Sequence, residues 1–490
     1  MHIQHQRGNM SITKKDFGIN CLYFVGLFAI AIFISALGVA IVAKSFSGIT
    51  QLGYTIIPLI GLVFLALVII HIYSVWIIRP SYKKFSRIRE YLIVNSIIVL
   101  TSMLSIFIYR YYSAYALPIA AASLIVSMLL SQRLGIITGI FTTSIVGLVC
   151  LVTDSVMFGN LSLMQVGGIL ISMVSSVCAT FLMHKGFNRL KVTLGTILIG
   201  LALTPLGILF GVLEPNATAL SVFKVCVSIF IGNVIAVAFE TLLLPLYESI
   251  FRIWTDYKLA EICSLNQPLL RELRQKAPGT FAHCLTVSTL AENCAISIGL
   301  NPFMARACAM YHDVGKMKNP QFFSENQTDG YNPHDDLIID VSVKMITEHP
   351  AEGAQMLKEQ RMPDTVIRAA LEHHGDSTLM FFYLKAKGIT EKNLNTDEYR
   401  YSNPKPSTKY SAVIMICDMC EATIRAKKPQ SKEELEGIVY NIIQGRILDG
   451  QLSECDISMK DLAKIKTSIC EAIPSMMHDR INYDKAKERR

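Results

Sequence analysis

The C-terminal half of this chain is rich in residues that can bind metal ions. The chain has 11 histidines in 490 residues, and six of them fall between residues 283 and 374, far more than an even spread would give. These six are His283, His312, His334, His349, His373 and His374. A lone histidine in a helical domain is usually a surface or core residue, so the prediction of a metal site depends on the group as a whole.

Some of these histidines have neighbours that suit metal-assisted hydrolysis. Asp313 directly follows His312, His374 directly follows His373, and Asp418 lies in an otherwise apolar run. Two divalent ions about 3.5–4 Å apart can activate water and neutralise charge on phosphoryl oxygens, as cleavage of a phosphodiester requires. Imidazole suits iron and carboxylate suits manganese, so a shell of His and Asp predicts two divalent ions, iron or manganese.

The rest of the chain must position these residues, and its composition indicates a membrane protein. Apolar residues make up 52% of the chain and charged residues only 17%. Apolar runs fill residues 20 to about 244, whereas the sequence from Arg252 onward is typical of a soluble domain. We therefore predict a cytoplasmic segment at 1–19, a transmembrane domain at 20–246, a soluble domain at 247–484 and a basic tail at 485–490.

Eight apolar segments are long enough to predict about eight membrane helices. They cover residues 22–42, 56–77, 92–108, 116–130, 136–152, 166–183, 192–212 and 220–244. With the N-terminus inside, the inner segments hold 12 basic residues, and the outer loops hold only Lys44 and Arg110. This asymmetry predicts a multi-pass protein of the inner (plasma) membrane whose N-terminus and soluble domain are cytoplasmic. Because many basic residues lie beside these segments, the net charge of +8 does not indicate a DNA partner.

The soluble half has the pattern of an all-helical domain. Apolar residues recur at spacings of three and four, and Ser458 with Asp461 fits a helix-start capping box. The predicted fold class is therefore all-α, a polytopic transmembrane helix bundle followed by a cytoplasmic all-helical domain. The helices after Lys432 are expected to cover the core or to form the contact of a homodimer.

The soluble half resembles the HD-domain metallophosphohydrolases. Within them it is similar to the seven-transmembrane HD phosphodiesterases, which hydrolyse cyclic di-AMP to pApA. The resemblance runs from about Glu240 to Tyr483 and is carried by short motifs in the family's order and spacing. These motifs are Ala277-Pro278-Gly279-Thr280, Tyr311-His312-Asp313-Val314-Gly315-Lys316, Glu325-Asn326-Gln327, Asn332-Pro333-His334-Asp335, Glu348-His349, Glu372-His373-His374-Gly375, Pro404-Lys405-Pro406-Ser407-Thr408 and His478-Asp479-Arg480-Ile481-Asn482-Tyr483.

The resemblance implies roles for individual residues of this chain. The implied metal ligands are His283, His312, Asp313, His349, His373, His374 and Asp418. Asp313 would bridge the two ions, and Lys316 would approach a substrate phosphate; these two are the implied catalytic residues. His334, Lys405, Ser407 and Thr408 are further candidates for substrate contact, with helix caps or turns as the alternative.

The chain also departs from this family. Cys284 stands where the family usually has Ser, next to the first implied ligand. About a dozen residues join the first two predicted membrane helices, where family members usually carry a large extracytoplasmic domain. The sister family that cleaves cyclic di-GMP has Gly-Tyr-Pro shortly after its His pair, whereas this chain continues Gly375-Asp376-Ser377.

Three functions therefore remain open. The leading one is hydrolysis of cyclic di-AMP, a cyclic dinucleotide, by a membrane-anchored phosphodiesterase in the lipid bilayer. The first alternative is an HD phosphohydrolase that acts on another nucleotide. The second is a non-catalytic membrane receptor that binds a nucleotide.

Overall fold

A computed structural model gives the fold of this chain. It describes residues 14–43, 49–78, 84–159, 162–182, 189–215, 217–327, 331–389 and 395–476. The chain divides into two compact units, Met1–Thr255 and Asp256–Arg490. The described residues form helices and turns, with one isolated β-bridge between Thr378 and Arg400. The predicted all-α fold class is confirmed.

Some sequence predictions fall outside the described residues. These are most of the N-terminal segment 1–19, of which only 14–19 is described, the motif His478–Tyr483 and the basic tail 485–490. The division at 246/247 also stays a prediction.

The first unit consists of nine α-helices among the described residues. They are α1 (Lys14–Ala43), α2 (Ile49–Ile78), α3 (Lys84–Tyr111), α4 (Ala120–Leu129), α5 (Gln132–Phe158), α6 (Leu163–Phe181), α7 (Arg189–Ala202), α8 (Thr204–Val212) and α9 (Ala219–Phe251). Each of the eight predicted membrane segments overlaps an α-helix in its described residues, and in the fourth, 116–130, the α-helix is Ala120–Leu129. The seventh contains a break at Leu203, which separates α7 from α8.

Six apolar stretches of the described residues are long enough to cross a membrane. They are Val25–Val42, Ile88–Tyr111, Gln132–Val156, Leu163–Phe181, Arg189–Val212 and Ala219–Ile250. Ile56–Ile72, within α2, and Ala114–Leu129 are shorter apolar stretches. Helix α4 rises only about 15 Å, half of a bilayer core about 30 Å thick. The chain is thus a multi-pass membrane protein, and the total of eight crossings stays a prediction.

Several polar side chains inside this bundle are paired within it. The hydroxyls of Thr138 and Thr142 donate to the carbonyls four residues earlier, at 2.8 and 2.6 Å. The buried Asp154 carboxylate accepts from Tyr109 Oη at 2.6 Å and from Gln165 Nε2 at 2.8 Å, which links α3, α5 and α6. Such pairing is required where no water can satisfy a polar group.

The second unit consists of eleven α-helices among the described residues. They are α10 (Asp256–Ile262), α11 (Pro268–Lys276), α12 (Pro278–Ile298), α13 (Pro302–Tyr311), α14 (Ile339–Thr347), α15 (His349–Glu359), α16 (Asp364–Glu372), α17 (Met380–Ile389), α18 (Lys409–Lys427), α19 (Lys432–Leu448) and α20 (Met459–Met476). Short 3₁₀ turns lie at Ala114–Ala116 in the first unit and at Val314–Lys318, Pro320–Phe322, Ser324–Asn326, Pro333–Asp335 and Thr396–Tyr399 in the second.

Helix α12 is central to the second unit, because α13, α18 and α20 all pack against it. It begins with Pro278, whose missing N–H costs nothing at a helix start, and it ends at Gly299 in the left-handed conformation. The predicted capping box at the start of α20 is present: the Asp461 N–H donates to Ser458 Oγ and the Ser458 N–H donates to Asp461 Oδ2, both at 3.1 Å. Helices α12 and α18 supply two of the predicted metal ligands.

Candidate metal centre

The helices of the second unit bring all seven predicted metal ligands into one cluster. His283 projects from α12, His312 and Asp313 directly follow α13, His349 begins α15, His373 and His374 directly follow α16, and Asp418 lies within α18. The ligand atoms form three overlapping groups, each within 4.8 Å: Asp313 with His349, His373 and His374; His283 with His312 and Asp313; and His312 with His373 and Asp418. A buried set of imidazoles and carboxylates of this kind suits divalent metal ions.

Asp313 lies at the middle of the cluster, and its two oxygens face different histidines. Oδ1 lies 3.3 Å from His349 Nε2 and 3.4 Å from His373 Nε2. Oδ2 lies 3.3 Å from His312 Nε2 and 3.7 Å from His283 Nε2. The carboxylate is 1% exposed. It therefore separates the imidazoles into one pair on each side.

Asp418 adds a second carboxylate on the side of His283 and His312. Its Oδ1 lies 2.9 Å from His283 Nε2 and 3.9 Å from His312 Nε2. Its Oδ2 lies 4.0 Å from His374 Nδ1. We call His283, His312 and Asp418 the first half-site, and His349, His373 and His374 the second half-site; Asp313 belongs to both.

Three imidazole rings are each oriented by a backbone carbonyl of the helix that precedes them. The Nδ1 atoms of His312, His349 and His373 lie 2.6, 2.6 and 2.8 Å from the carbonyl oxygen three residues earlier. A carbonyl can only accept, so each Nδ1 carries a proton, and in the neutral form of each ring the lone pair is at Nε2. The Nε2 atoms of His349 and His373 are only 3.4 Å apart. Two lone pairs at that distance repel each other unless a cation lies between them.

Unpaired polar atoms also indicate that the cluster fits metal ions. His312 Nε2 and Asp313 Oδ1 are buried and have no hydrogen-bond partner within the described part of the chain. Burying such atoms is costly without a partner, and coordination to a cation provides one.

The pKa values of the cluster differ between the two half-sites. Burial alone lowers the pKa of His283, but hydrogen bonds to Asp418 and Glu421 raise it to about 10. Burial likewise opposes the shift at His312, whose pKa the Asp313 charge holds well above its usual value. In the second half-site burial lowers the pKa of His349, and burial together with His373 holds the pKa of His374 well below its usual value.

The two carboxylates have pKa values well below the usual range. Burial alone would raise the pKa of Asp313, but the charges of His312 and Lys316 lower it. For Asp418, hydrogen bonds to His283 and His312 outweigh burial and lower the pKa. Both groups are therefore ionised at neutral pH and available as ligands.

Lys316 lies beside the cluster and forms ion pairs with two carboxylates. Its Nζ is 2.7 Å from Asp313 Oδ2 and 3.0 Å from Glu325 Oε1, and it lies over the Phe323 ring. The turn that carries Lys316 packs closely on α15. At Gly315 the approach is so close that an added Cβ would lie 2.0 Å from the His349 carbonyl oxygen. The position predicted to approach a phosphate is thus at the cluster, paired with two carboxylates.

His334 and Lys405 lie outside the three ligand groups. His334 Nε2 donates to the Phe322 carbonyl at 2.8 Å, and its ring packs edge-on against Phe382. Lys405 Nζ lies 3.9 Å from Asp376 Oδ2 and is about a quarter exposed.

Ser407 and Thr408 support the elements that carry metal ligands. Ser407 donates from its N–H and its Oγ to the buried Glu372 carboxylate, at 2.9 and 2.7 Å. Glu372 directly precedes His373. Thr408 Oγ1 accepts from the Ser411 N–H at 3.0 Å and so caps the start of α18, the helix of Asp418.

Two residues that the sequence analysis did not select also contact the ligands. Glu421 Oε2 accepts from His283 Nδ1 at 2.6 Å. Tyr401 stacks on His374, with ring centroids 4.5 Å apart and planes at 22°. Glu421 follows Asp418 by three residues, so the helical periodicity of α18 could have indicated it, whereas no local pattern marks Tyr401.

Cysteine contributes to the surroundings of the cluster. Cys284 Sγ lies 3.8 Å from His312 Nδ1, so the departure noted at this position falls beside a predicted ligand. Cys417 and Cys420 flank Asp418 with a CxxC spacing that also occurs in zinc and redox sites. Both thiols are fully buried, and neither belongs to the three ligand groups of the described residues.

Comparison with known families gives one match in each unit. Residues 54–255 match the family described as 7TM receptor with intracellular HD hydrolase. Residues 280–423 match the HD domain. Seven of the eight predicted membrane segments lie within the first matched range.

Two curated relatives align with most of this chain. The cyclic-di-AMP phosphodiesterase PgpH of Listeria monocytogenes is 33% identical over 420 residues, which is 84% of this chain and 56% of that protein. PgpH of Bacillus subtilis is 32% identical over 417 residues, 84% of this chain and 57% of that protein. The chain thus spans little more than half the length of these relatives.

A solved structure is also similar to the second unit. The HD domain of L. monocytogenes PgpH in complex with cyclic-di-AMP is 41% identical, with a TM-score of 0.42. The match covers 44% of this chain and 99% of that one.

Proposed function

We propose that this chain is a membrane-anchored, metal-dependent phosphodiesterase of the family described as 7TM receptor with intracellular HD hydrolase, with its HD domain in the second unit. The proposed substrate is cyclic di-AMP and the proposed product is pApA. Both PgpH relatives are named as cyclic-di-AMP phosphodiesterases, which supports this choice.

The position of Asp313 between two pairs of imidazoles supports the proposal most strongly. One carboxylate whose two oxygens face separate histidine pairs can hold two cations close together. Such pairs of ions are characteristic of enzymes that cleave phosphoesters. A structural metal site surrounds one ion with a complete shell of protein ligands and does not require a second set of ligands.

We propose two divalent ions, iron or manganese, one in each half-site. When bound, they would lower the pKa of a water molecule and neutralise charge on the phosphoryl oxygens. The chain's own groups have separate tasks. Asp313 holds the two half-sites together, the imidazoles present Nε2 from fixed rings, and burial keeps the surroundings at low dielectric so that each charge acts strongly.

For substrate contacts we propose the two lysines. Lys316 Nζ carries its charge beside the cluster, and exchanging one of its two carboxylate partners for a phosphate would keep that charge paired. Lys405 has an ammonium that is only loosely paired with Asp376, so it is available to a second phosphate. His334, Ser407 and Thr408 stay predictions as substrate contacts, since their hydrogen bonds serve the protein fold.

We further propose that the second unit lies on the cytoplasmic side of the inner membrane. The excess of basic residues in the predicted inner loops supports that orientation. We also propose that the chain forms a homodimer.

The test of the substrate uses the full chain in lipid nanodiscs. Loaded anaerobically with Mn²⁺ or Fe²⁺, it is offered cyclic di-AMP, cyclic di-GMP, linear dinucleotides and mononucleotides, and the products are identified by mass. We expect conversion of cyclic di-AMP to pApA. Cleavage of another nucleotide without turnover of cyclic di-AMP would favour a different HD phosphohydrolase. Nucleotide binding with neither metal nor hydrolysis would favour a receptor.

A further inference from the structure

His283 is oriented differently from the other histidines whose Nδ1 atoms have a partner in the cluster. His312, His349 and His373 donate from Nδ1 to neutral backbone carbonyls. His283 Nδ1 instead lies 2.6 Å from Glu421 Oε2, a carboxylate. Its ring is therefore held by a full negative charge at hydrogen-bond distance, whereas the nearest carboxylate oxygen to His374 Nδ1 lies 4.0 Å away.

Helix α18 supplies the groups on both sides of the His283 ring. Asp418 Oδ1 lies 2.9 Å from Nε2, and Glu421 contacts Nδ1. The two acidic residues are three positions apart, which places them on the same face of the helix. The ring is thus fixed in orientation by one rigid element, with Nδ1 directed to Glu421 and Nε2 directed into the first half-site.

A carboxylate behind a metal-binding imidazole increases the basicity of the ligand nitrogen more than a neutral carbonyl does. Outer partners of this kind contribute 10–100-fold to metal affinity. Because the second half-site has only carbonyl partners behind His349 and His373, the two half-sites receive unequal support.

The surroundings of Glu421 make it suitable for substitution. It is 9% exposed, and its Oε1 lies 3.7 Å from Arg425 Nη1. It also lines a cavity of about 1060 Å³ between α12, α18, α19 and α20. A shorter or neutral side chain there borders this open space, so it leaves no sealed void in the core. Glu436 lines the same cavity from α19 and pairs with Lys466 at 3.7 Å.

We propose that Glu421 is a positioning residue that makes the two metal sites unequal in affinity. It holds His283, so the first half-site binds its ion more tightly than it would if a backbone carbonyl stood behind that ring. This inference rests on the two-metal site of the proposed function. Glu421 contacts His283 at Nδ1, the nitrogen that faces away from the first half-site, and acts only through that ring.

The test is a Mn²⁺ titration of the metal-free full chain in nanodiscs, followed by calorimetry. In Glu421→Ala we expect one of the two Mn²⁺ equivalents to bind 10–100-fold more weakly, with the other unchanged. Glu421→Gln should recover part of the loss, because an amide oxygen still accepts from Nδ1 without supplying charge. The matched control Glu436→Gln should bind both equivalents as the wild type does.

The outcomes separate this inference from the proposed function. Wild-type affinities at both sites in Glu421→Ala would overturn the inference, as would equal weakening of both sites together with a lower melting temperature. A wild-type chain that binds no Mn²⁺ would instead contradict the proposed two-metal site itself.

Discussion

At the scale of single residues, the candidate site depends on a carboxylate that belongs to two half-sites. Asp313 Oδ1 and Oδ2 each lie within 3.7 Å of two Nε2 atoms. The four histidines lie in, or directly after, four different helices. No other described carboxylate is shared in this way among the three ligand groups, since Asp418 belongs to one of them. Loss of Asp313 should therefore affect both ions together.

The first prediction concerns this carboxylate. In Asp313→Ala we expect kcat to fall by at least about 100-fold, because neither ion keeps its shared ligand. Metal content, measured by elemental analysis, should fall well below that of the wild type. Asp364→Ala, which removes an exposed carboxylate paired with Arg368, should retain both activity and metal. Undiminished turnover in Asp313→Ala would refute the bridging role.

The second prediction concerns protons released when metal binds. The pKa of His283 is raised to about 10 and that of His312 is also raised, so both carry a proton at pH 7 that a metal ion must displace. The pKa of His349 is lowered, so the second half-site releases none there. Affinity of one equivalent should fall as the pH decreases. Calorimetry at pH 7 in buffers of different ionisation enthalpy measures the release, and buffer-independent heats would contradict it.

The same shifts determine how the metal-free fold responds to pH. A histidine whose folded pKa is raised stabilises the fold below its unfolded value near 6.5, and this contribution is lost as the pH rises toward about 10 for His283. Asp313 and Asp418, with lowered pKa values, stabilise it above the usual carboxyl range and lose that contribution as the pH falls.

At the scale of elements, the ends of helices position most ligands. His312 and His373 each cap the C-terminal end of a helix, and His349 begins one. The turn Val314–Lys318 then packs on α15, which brings Asp313 to His349. The close approach at Gly315 allows this contact.

A substitution at Gly315 tests whether this close approach is required. Gly315→Ala would place a Cβ 2.0 Å from the His349 carbonyl oxygen, so backbone must move. We expect a loss of about 1–3 kcal/mol in the free energy of unfolding, measured with denaturant, and weaker metal binding. Gly437→Ala on α19 meets no atom within 4 Å and should be neutral or stabilise by up to about 1 kcal/mol. Equal stability of the two variants would show that the turn can adapt.

The sequence predicted the helices more completely than their interruptions. Apolar periodicity and length identify the membrane helices, because burial or lipid exposure imposes that pattern. The sequence does not mark the break at Leu203 by a change in apolar periodicity, since Leu203 is itself apolar. Pro205 lies in the first turn of the following helix. Histidine clustering and motif order indicated the ligand types. Glu421 was missed because a single acidic residue on an amphipathic helix is usually solvent-exposed.

At the scale of the whole molecule, a membrane unit and a helical HD unit are joined in one chain. The described residues of the first unit hold six apolar stretches long enough to cross a bilayer, and the second unit holds the whole ligand cluster. The ligand cluster is thus built from the helices of a single unit.

The orientation of the chain is a prediction at this scale. With basic residues concentrated in the predicted inner loops, alkaline phosphatase fused after residue 112 or residue 215 should be active, and the same enzyme fused at the C-terminus should be inactive. A fluorescent protein fused at the C-terminus should fluoresce, and the same protein fused after residue 112 or residue 215 should not. Phosphatase activity at the C-terminus would place the second unit outside and contradict the proposed cytoplasmic location.

Hydrogen bonds tie the rings of His312, His349 and His373 to carbonyls three residues earlier, so their orientation is set by the local backbone before any ion binds. Loading the site should therefore resemble the docking of an ion into a rigid receptor, with little new apolar surface buried. The enthalpy of Mn²⁺ binding should then vary little with temperature, since a large heat-capacity change accompanies only substantial burial. Zinc fingers, which fold on loading, differ in this respect.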